Sequence, residues 1–261
     1  MLAIAFMGVI QHEVEQAQLR RLTTSIRQEA GTGCIISCNA AGLFANAARL
    51  DAQVEMLFDS GIDVVFSGEQ SVGRNAGRTL LARTSLPVIR PMNLGESTPG
   101  TGAFLMKTQF GSVWMLGVVD GSGKIPVSLP HAALDNFFRN KTDQLPVVLN
   151  VDGTDFAYRK ALLWRCAAPG LTLLIFGSGA GFVAVPGDLK SDGSFLQPDV
   201  GVVENDGSIG GLAPEVWWQR NIDRVPVTAG AGWGLLRCDY TIVWLDEKLK
   251  PHKHLQKTMR M

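Results

Sequence analysis

The sequence predicts an α/β protein in which helices cover sheets, the first of them parallel. Three observations lead there. A chain of 261 residues suits one large domain and buries roughly three quarters of the surface that its unfolded form exposes. Apolar runs of strand length alternate with amphipathic stretches through the first ninety or so residues, the order that builds βαβ units. A hydrophobic share of 46% against 18% charged excludes a disordered chain.

Each element has its own signal. Leu2 to Ile10 is an unbroken apolar run and predicts a buried strand. Val14, Ala17, Leu22 and Ile26 form a stripe at helical steps, and Gly31 and Gly33 stop that helix. Cys34 to Ser37 reads as a short buried strand. Leu50, Val54, Leu57 and Phe58 mark a second helix that ends at Ser60 and Gly61. Ile62 to Phe66 follows as a strand, 74–83 as a short helix, and Leu86 to Arg90 as a strand before Pro91. The second half is richer in strands. Phe104 to Lys107 and Val113 to Val119 form a hairpin across Phe110 to Ser112. Pro146 to Val151 and Leu171 to Phe176 flank a helix containing Ala161, Leu162 and Trp164. Trp233 to Asp239 and Thr241 to Leu245 read as terminal strands. No repeat, low-complexity tract or linker divides the chain, so residues 1–247 form one domain, and two sheets packed between helices fit this order.

Composition bounds the chemistry. Of four histidines, His252 and His254 fall in the last ten residues, leaving His12 and His131 for the body. That nearly excludes a histidine-rich metal site. We read His12 at the start of the first helix and His131 in a loop beside Pro130, both as surface residues. Cys34, Cys38, Cys166 and Cys238 contain no C-x-x-C spacing, which argues for buried, reduced thiols rather than zinc or disulfides. The 24 basic and 24 acidic residues balance, yet Lys248, Lys250, Lys253, Lys257 and Arg260 follow Glu247 with no acid among them. We read residues 248–261 as a basic, solvated, frayed tail. No basic stripe with interleaved aromatics marks the body, so nucleic acid is not an expected partner. The apolar N-terminal run lacks a basic flank and a cleavage pattern, and no run is long enough to span a bilayer. The expectation is a cytoplasmic protein without a membrane partner.

In open α/β sheets, ligands gather beyond the carboxyl ends of strands. Those positions hold Gly8 and Val9, Cys38 and Asn39, Gly68 to Gln70, Asp120 and Gly121, Asp152 and Gly153, and Gly177 to Gly181. The last group invites comparison with a phosphate cradle but lacks both the P-loop Lys-Ser/Thr and the G-x-G-x-x-G spacing, so a plain turn is expected.

Residues 86–102 read LPVIRPMNLGESTPGTG, close to a stretch of roughly L-x-R-P-A-N-x-P-x-G-T-P-G-x-G. Further matches are Asn39 with two alanines, Ser60 to Asp63, Leu134 to Phe138, Ala161 to Trp164 and Asp199 to Gly201. On these motifs, kept in order along nearly the whole chain, the sequence resembles the YmdB-type phosphodiesterases among calcineurin-like metallophosphoesterases, members of which act on cyclic nucleotides, including 2′,3′-cyclic ones. The resemblance implies a four-layer α/β/β/α sandwich with a dinuclear metal centre at the strand ends. Two cations there clamp the phosphate and generate a hydroxide, and a histidine protonates the leaving oxygen.

The departures fall on those functional positions. The family's first aspartate is Val9, its glutamate is Cys38, and its Asn-His pair is Glu69 and Gln70. Asp152 stands for a metal-binding histidine, and Gly179 and Gly181 replace two more. Only Asn39 is unchanged. We expect a pseudoenzyme that acts by binding or assembly, with no catalytic residue and no cofactor. Its partner would be an unidentified protein or a second copy, and the exposed aromatics Trp217 and Trp218 are candidates for the contact, unless they pack into the core with Val216. The alternative is a phosphodiesterase with an oxygen-rich site in which Asn39, Glu69 and Asp152, with Asp120 or Asp155, hold Mg²⁺ or Mn²⁺. A nucleotide held without turnover has no motif behind it. Cys38 has no histidine base beside it and is read as an inert packed thiol.

Overall fold

The computed structural model describes residues 1–83, 85–123, 125–166, 171–179, 184–227 and 230–261. The apolar run at the N-terminus becomes β1 (Leu2–Ile10), every residue of it buried. It is followed by α1 (Gln16–Ala30), β2 (Cys34–Asn39), α2 (Ala41–Asn46), α3 (Leu50–Asp59), β3 (Val64–Phe66), α4 (Asn75–Leu81) and β4 (Val88–Ile89). The pairs β1–β2, β2–β3 and β3–β4 are all parallel. Such pairing needs a crossover of a dozen or more residues between strands, and these helices supply it.

The chain then builds a second sheet from β5 (Ala103–Thr108), β6 (Gly111–Val119), α5 (Pro130–Asn140), β7 (Val147–Asp152), α6 (Phe156–Cys166), β8 (Leu173–Ser178), β9 (Asp188–Leu189) and β10 (Phe195–Gln197). Its strand order is β5-β6-β7-β8-β10-β9. Finally β11 (Val202–Leu212), α7 (Pro214–Asn221), β12 (Ala231–Leu245) and β13 (Pro251–Arg260) return to the first sheet. That sheet runs β13-β12-β11-β1-β2-β3-β4, and β12 also pairs antiparallel with β1.

Three apolar layers hold four structural ones. Leu19, Leu22, Ile26, Val54 and Leu57 pack the first helices on the outer face of the first sheet. Phe6, Phe66, Phe176 and Phe195 fill the space between the sheets, Phe6 stacking on Phe176 with ring centroids 4.9 Å apart. Burying each of those rings contributes roughly 2 kcal/mol. Leu134 and Leu162 close the far side under α5 and α6. The result is a four-layer α/β/β/α sandwich.

Several elements differ from the sequence reading. Residues 251–260 are not a frayed tail but the edge strand of the first sheet, paired with β12 from Leu245↔Pro251 to Arg237↔Arg260. Its charges have local partners: Lys257 Nζ lies 2.6 Å from Glu29, Arg260 Nε 2.9 Å from Asp206, and Lys253 Nζ sits over the Trp244 ring. Lysines on an edge strand also discourage pairing with other chains. The two terminal strands expected at 233–239 and 241–245 are one strand, because Tyr240 pairs with both Met7 and Lys257. His131 lies in the first turn of α5 behind Pro130, not in a loop. His12 precedes α1, and its ring braces the chain: Nδ1 contacts the Glu13 carbonyl at 2.7 Å and Nε2 accepts from the Asn205 N–H at 3.2 Å. No helix among the described residues is long and apolar enough to cross a membrane.

Candidate functional site

The carboxyl ends of β1, β2, β6, β7 and β8 converge on a cleft of about 400 Å³ lined by Val9, Glu69, Gln70, Asp120, Asp152 and Gly179, among others. A smaller recess of about 280 Å³, lined by Leu43, Ala47 and Leu212, continues from it and shares Gln11 and Asn46.

Strand alternation decides what faces the cleft. On β2, Cys34, Ile36 and Cys38 belong to the layer under the helices, while Ile35 joins the layer between the sheets. Asn39 therefore points inward and Cys38 points away. Burial pushes the Cys38 thiol far above its ordinary range, which keeps it protonated.

Asn39 is the hub. Its Oδ1 accepts from the Ala41 N–H at 2.8 Å, and because that partner can only donate, the amide orientation is settled. Its Nδ2 then faces Ser178 Oγ at 2.7 Å and Asp152 Oδ1 at 3.0 Å, with Asn150 Oδ1 farther off at 3.4 Å. Two amide hydrogens serve the two nearer acceptors. Asn150 Nδ2 in turn donates to Ser178 Oγ at 2.8 Å and to the Phe176 carbonyl at 3.1 Å. One polar knot thus ties β2 of the first sheet to β7 and β8 of the second.

Asp152 sits at the cleft floor, 7% exposed. Burial pushes its carboxyl up to about 6, opposed by the Glu69 N–H and the Asn39 amide and reinforced by the Glu69 charge. The Glu69 N–H reaches Asp152 Oδ2 at 3.3 Å, and Gln70 Nε2 donates to Glu69 Oε1 at 3.0 Å. Two glycines make room for this carboxylate. At Gly68 (φ 62°) a β-carbon would stand 2.7 Å from Asp152 Oδ2, and at Gly179 (φ 89°) 2.9 Å from Asp152 Oδ1. A histidine at 179 would meet both a left-handed backbone and that oxygen. Gly181 lies outside the described residues. Gly177 and Ser178 end β8 itself.

Beneath the cleft, Arg159 is fully buried. It donates to the carbonyls of Gly153, Pro198 and Ser178 and lies 3.7 Å from Asp199. Asp120 lies on the cleft wall, where its oxygens accept the N–H groups of Ser122 and Asp155 at 2.8 and 2.7 Å. Asp155 in turn receives the Tyr158 N–H at the start of α6. Asn150, Ser178 and Arg159 were not among the candidate site residues of the sequence. The first two carried a signal, being polar residues in otherwise apolar strands, and Arg159 carried none.

These donors do not fit a dinuclear metal centre. Asn39 presents its NH₂ group, not its oxygen, to Asp152, and no imidazole lines the cleft among the described residues. Nor do any three His, Cys, Asp or Glu side chains among them group so as to hold an ion.

Similar folds are known. A hypothetical protein from Thermus thermophilus superposes with TM-score 0.84 at 21% identity, covering 99% of both chains. A novel phosphatase from Mycoplasma pneumoniae superposes with TM-score 0.84 at 14% identity, covering 99% of this chain and 93% of that one. A 5′-nucleotidase precursor from T. thermophilus aligns at TM-score 0.57 and 13% identity over all of this chain, which spans 54% of that one. No curated protein matches by sequence. The model of the YmdB-like protein family matches residues 6–256, and the chain belongs to that family, on the fold of the calcineurin-like metallophosphoesterases.

Proposed function

We propose that the chain is a non-catalytic member of its family that works by binding or assembly. The observation that carries this reading is the Asn39 amide, whose hydrogens are turned onto Asp152 and Ser178. A metal there would need an oxygen facing it. The cleft wall supports the same reading. Glu69, Asp120 and Asp152 line it with no Lys, Arg or His among the described residues, so the side chains by themselves offer a phosphoester no positive charge. The four cysteines are free and buried, which suits a reducing cytoplasm.

The alternative is a phosphodiesterase acting on cyclic nucleotides or related phosphoesters through Mg²⁺ or Mn²⁺. It has one geometric point in its favour, the meeting of Glu69 and Asp152 on one wall. The neighbours described as a phosphatase and a 5′-nucleotidase make phosphoester hydrolysis the reaction to assay. Metal content of the purified protein and cyclic-nucleotide hydrolysis with Mn²⁺, Fe²⁺ or Mg²⁺ decide between the two. We expect little bound metal and no turnover above the protein-free control. Stoichiometric metal with turnover abolished by Asp152→Ala would overturn the non-catalytic reading.

A further inference from the structure

The recess beside the cleft is a slot with two walls that close on one floor. Gln11 to Glu13, which join β1 to α1, make the floor, and a glycine brings each wall against it. At Gly42 of α2 a β-carbon would stand 2.5 Å from the Gln11 Cα, and at Gly211 of β11 (φ 81°) 2.8 Å from the His12 ring. The space left is about 280 Å³, between Leu43, Ala47 and Ala48 on the α2 side and Gly210, Leu212 and Gly230 on the other. That is just under the roughly 300 Å³ at which small-molecule sites begin, so the recess suits one ring system rather than a whole ligand.

The lining is flat, and its polar groups are spent. The Gly211 N–H donates to Glu204 Oε2 at 3.0 Å, and the Gly230 carbonyl accepts the Ala213 N–H at 3.0 Å. Both His12 nitrogens are engaged, by the Glu13 carbonyl and the Asn205 N–H. What remains is bare peptide plane, imidazole face and aliphatic side chain, surfaces on which an aromatic ring packs. Polar groups return at the mouth, where Gln11 and Asn46 line recess and cleft alike. Asn46 Nδ2 donates to the Gly42 carbonyl at 3.1 Å, so its Oδ1 is the acceptor that it offers a ligand. Charge narrows the class further. Glu13 lines the recess, Glu69, Asp120 and Asp152 line the cleft, and neither holds a Lys or Arg among the described residues. A ligand bearing a negative charge meets carboxylates there and no cation.

We propose that the recess is a binding site for the flat ring of a non-anionic aromatic compound, whose remaining atoms pass Gln11 and Asn46 into the cleft. The proposal rests on the reading of the chain as a binding protein and gives that reading a ligand class, set by the ring-sized slot and the sign of its surroundings.

Three probes that share one ring and differ in charge test it: indole, tryptamine and indole-3-acetate, titrated into the full chain at neutral pH and followed by NMR. Indole and tryptamine should bind with a Kd of about 1 mM or tighter, the range open to ligands of this size, and indole-3-acetate at least about tenfold more weakly. Leu212→Gln, which makes one wall polar, should weaken indole at least about fivefold. Should that variant misfold by circular dichroism, Ala48→Trp decides, because an indole supplied from this exposed lining position competes for the slot without disturbing the core. No binding of indole or tryptamine at about 5 mM, tightest binding of indole-3-acetate, or indole binding untouched by both variants overturns the proposal. Cyclic-nucleotide turnover would overturn the non-catalytic reading and leave the ring site standing, so the two failures are separable.

Discussion

The side-chain amide of Asn39 donates to Asp152 Oδ1 at 3.0 Å across the gap between the two sheets. The same amide reaches Ser178 Oγ, so one residue at the end of β2 ties down two strands of the opposite sheet.

Removing that amide strands its partners. Asn39→Ala takes one of two donors from both Asp152 and Ser178 and leaves the Ala41 N–H without an acceptor, and a buried polar group without a partner costs about 1–3 kcal/mol. We expect a loss of about 2–4 kcal/mol in urea unfolding at neutral pH. Asn39→Ala and Ser178→Ala should be strongly non-additive, since they cut the same knot. A loss under about 0.5 kcal/mol, typical of an exposed site, would show that the knot does not brace the sheets.

Asp152 makes stability fall as pH rises. Its carboxyl titrates at about 6 in the folded protein and near 4 when unfolded, so between those values the folded state holds more proton. Stability is undiminished by this group below about pH 4, declines to about pH 6, and beyond that carries a constant cost of about 3 kcal/mol. Asp152→Asn cannot ionise and escapes the decline. The variant should gain on the wild type by about 2–3 kcal/mol between pH 4 and pH 8 in denaturant titrations. A difference that stays flat with pH would refute the assignment.

The last strand is structural. A chain stopped after Glu247 loses all of β13 and exposes the edge of β12. We expect aggregation, or a thermal midpoint lower by more than about 10 °C. Lys248→Gln, outside that strand, should stay within about 0.5 kcal/mol of wild type. A soluble truncated chain with an unchanged midpoint would restore the view of this segment as a tail.

The parallel half of the fold was legible because its signals are local. Leu2 to Ile10 is apolar at every position save one glycine, and Leu19, Leu22 and Ile26 repeat at helical spacing. Strand β11 was not legible. Its glycines and its Glu-Asn-Asp run carry no strand signal, and pairing with β1 and β12 makes it a strand. At the site, the departures at Val9, Cys38, Glu69, Gln70, Asp152 and Gly179 were readable from residue types alone. The hydrogen-bonded knot around Asn39 was not, because Asn150 and Ser178 become meaningful only when distant strands meet. The setting of Trp217 and Trp218 also needed the structure: Trp218 is exposed and Trp217 half-buried, on a helix with no fully buried residue.

The placement of β1 carries a consequence for how the protein is made. The second sheet uses one continuous stretch, β5 through β10, and can close on itself as it emerges. The first sheet cannot. β1 is a long, fully buried apolar strand, yet among the described residues its outer edge is paired by β11 and β12, about two hundred residues downstream. At ribosomal speeds of roughly 5–20 residues per second, that edge waits ten seconds or more for its partners. Vectorial folding here leaves a sticky strand uncovered until β11 and β12 have been made, and β12, which covers it, needs β13 on its other side.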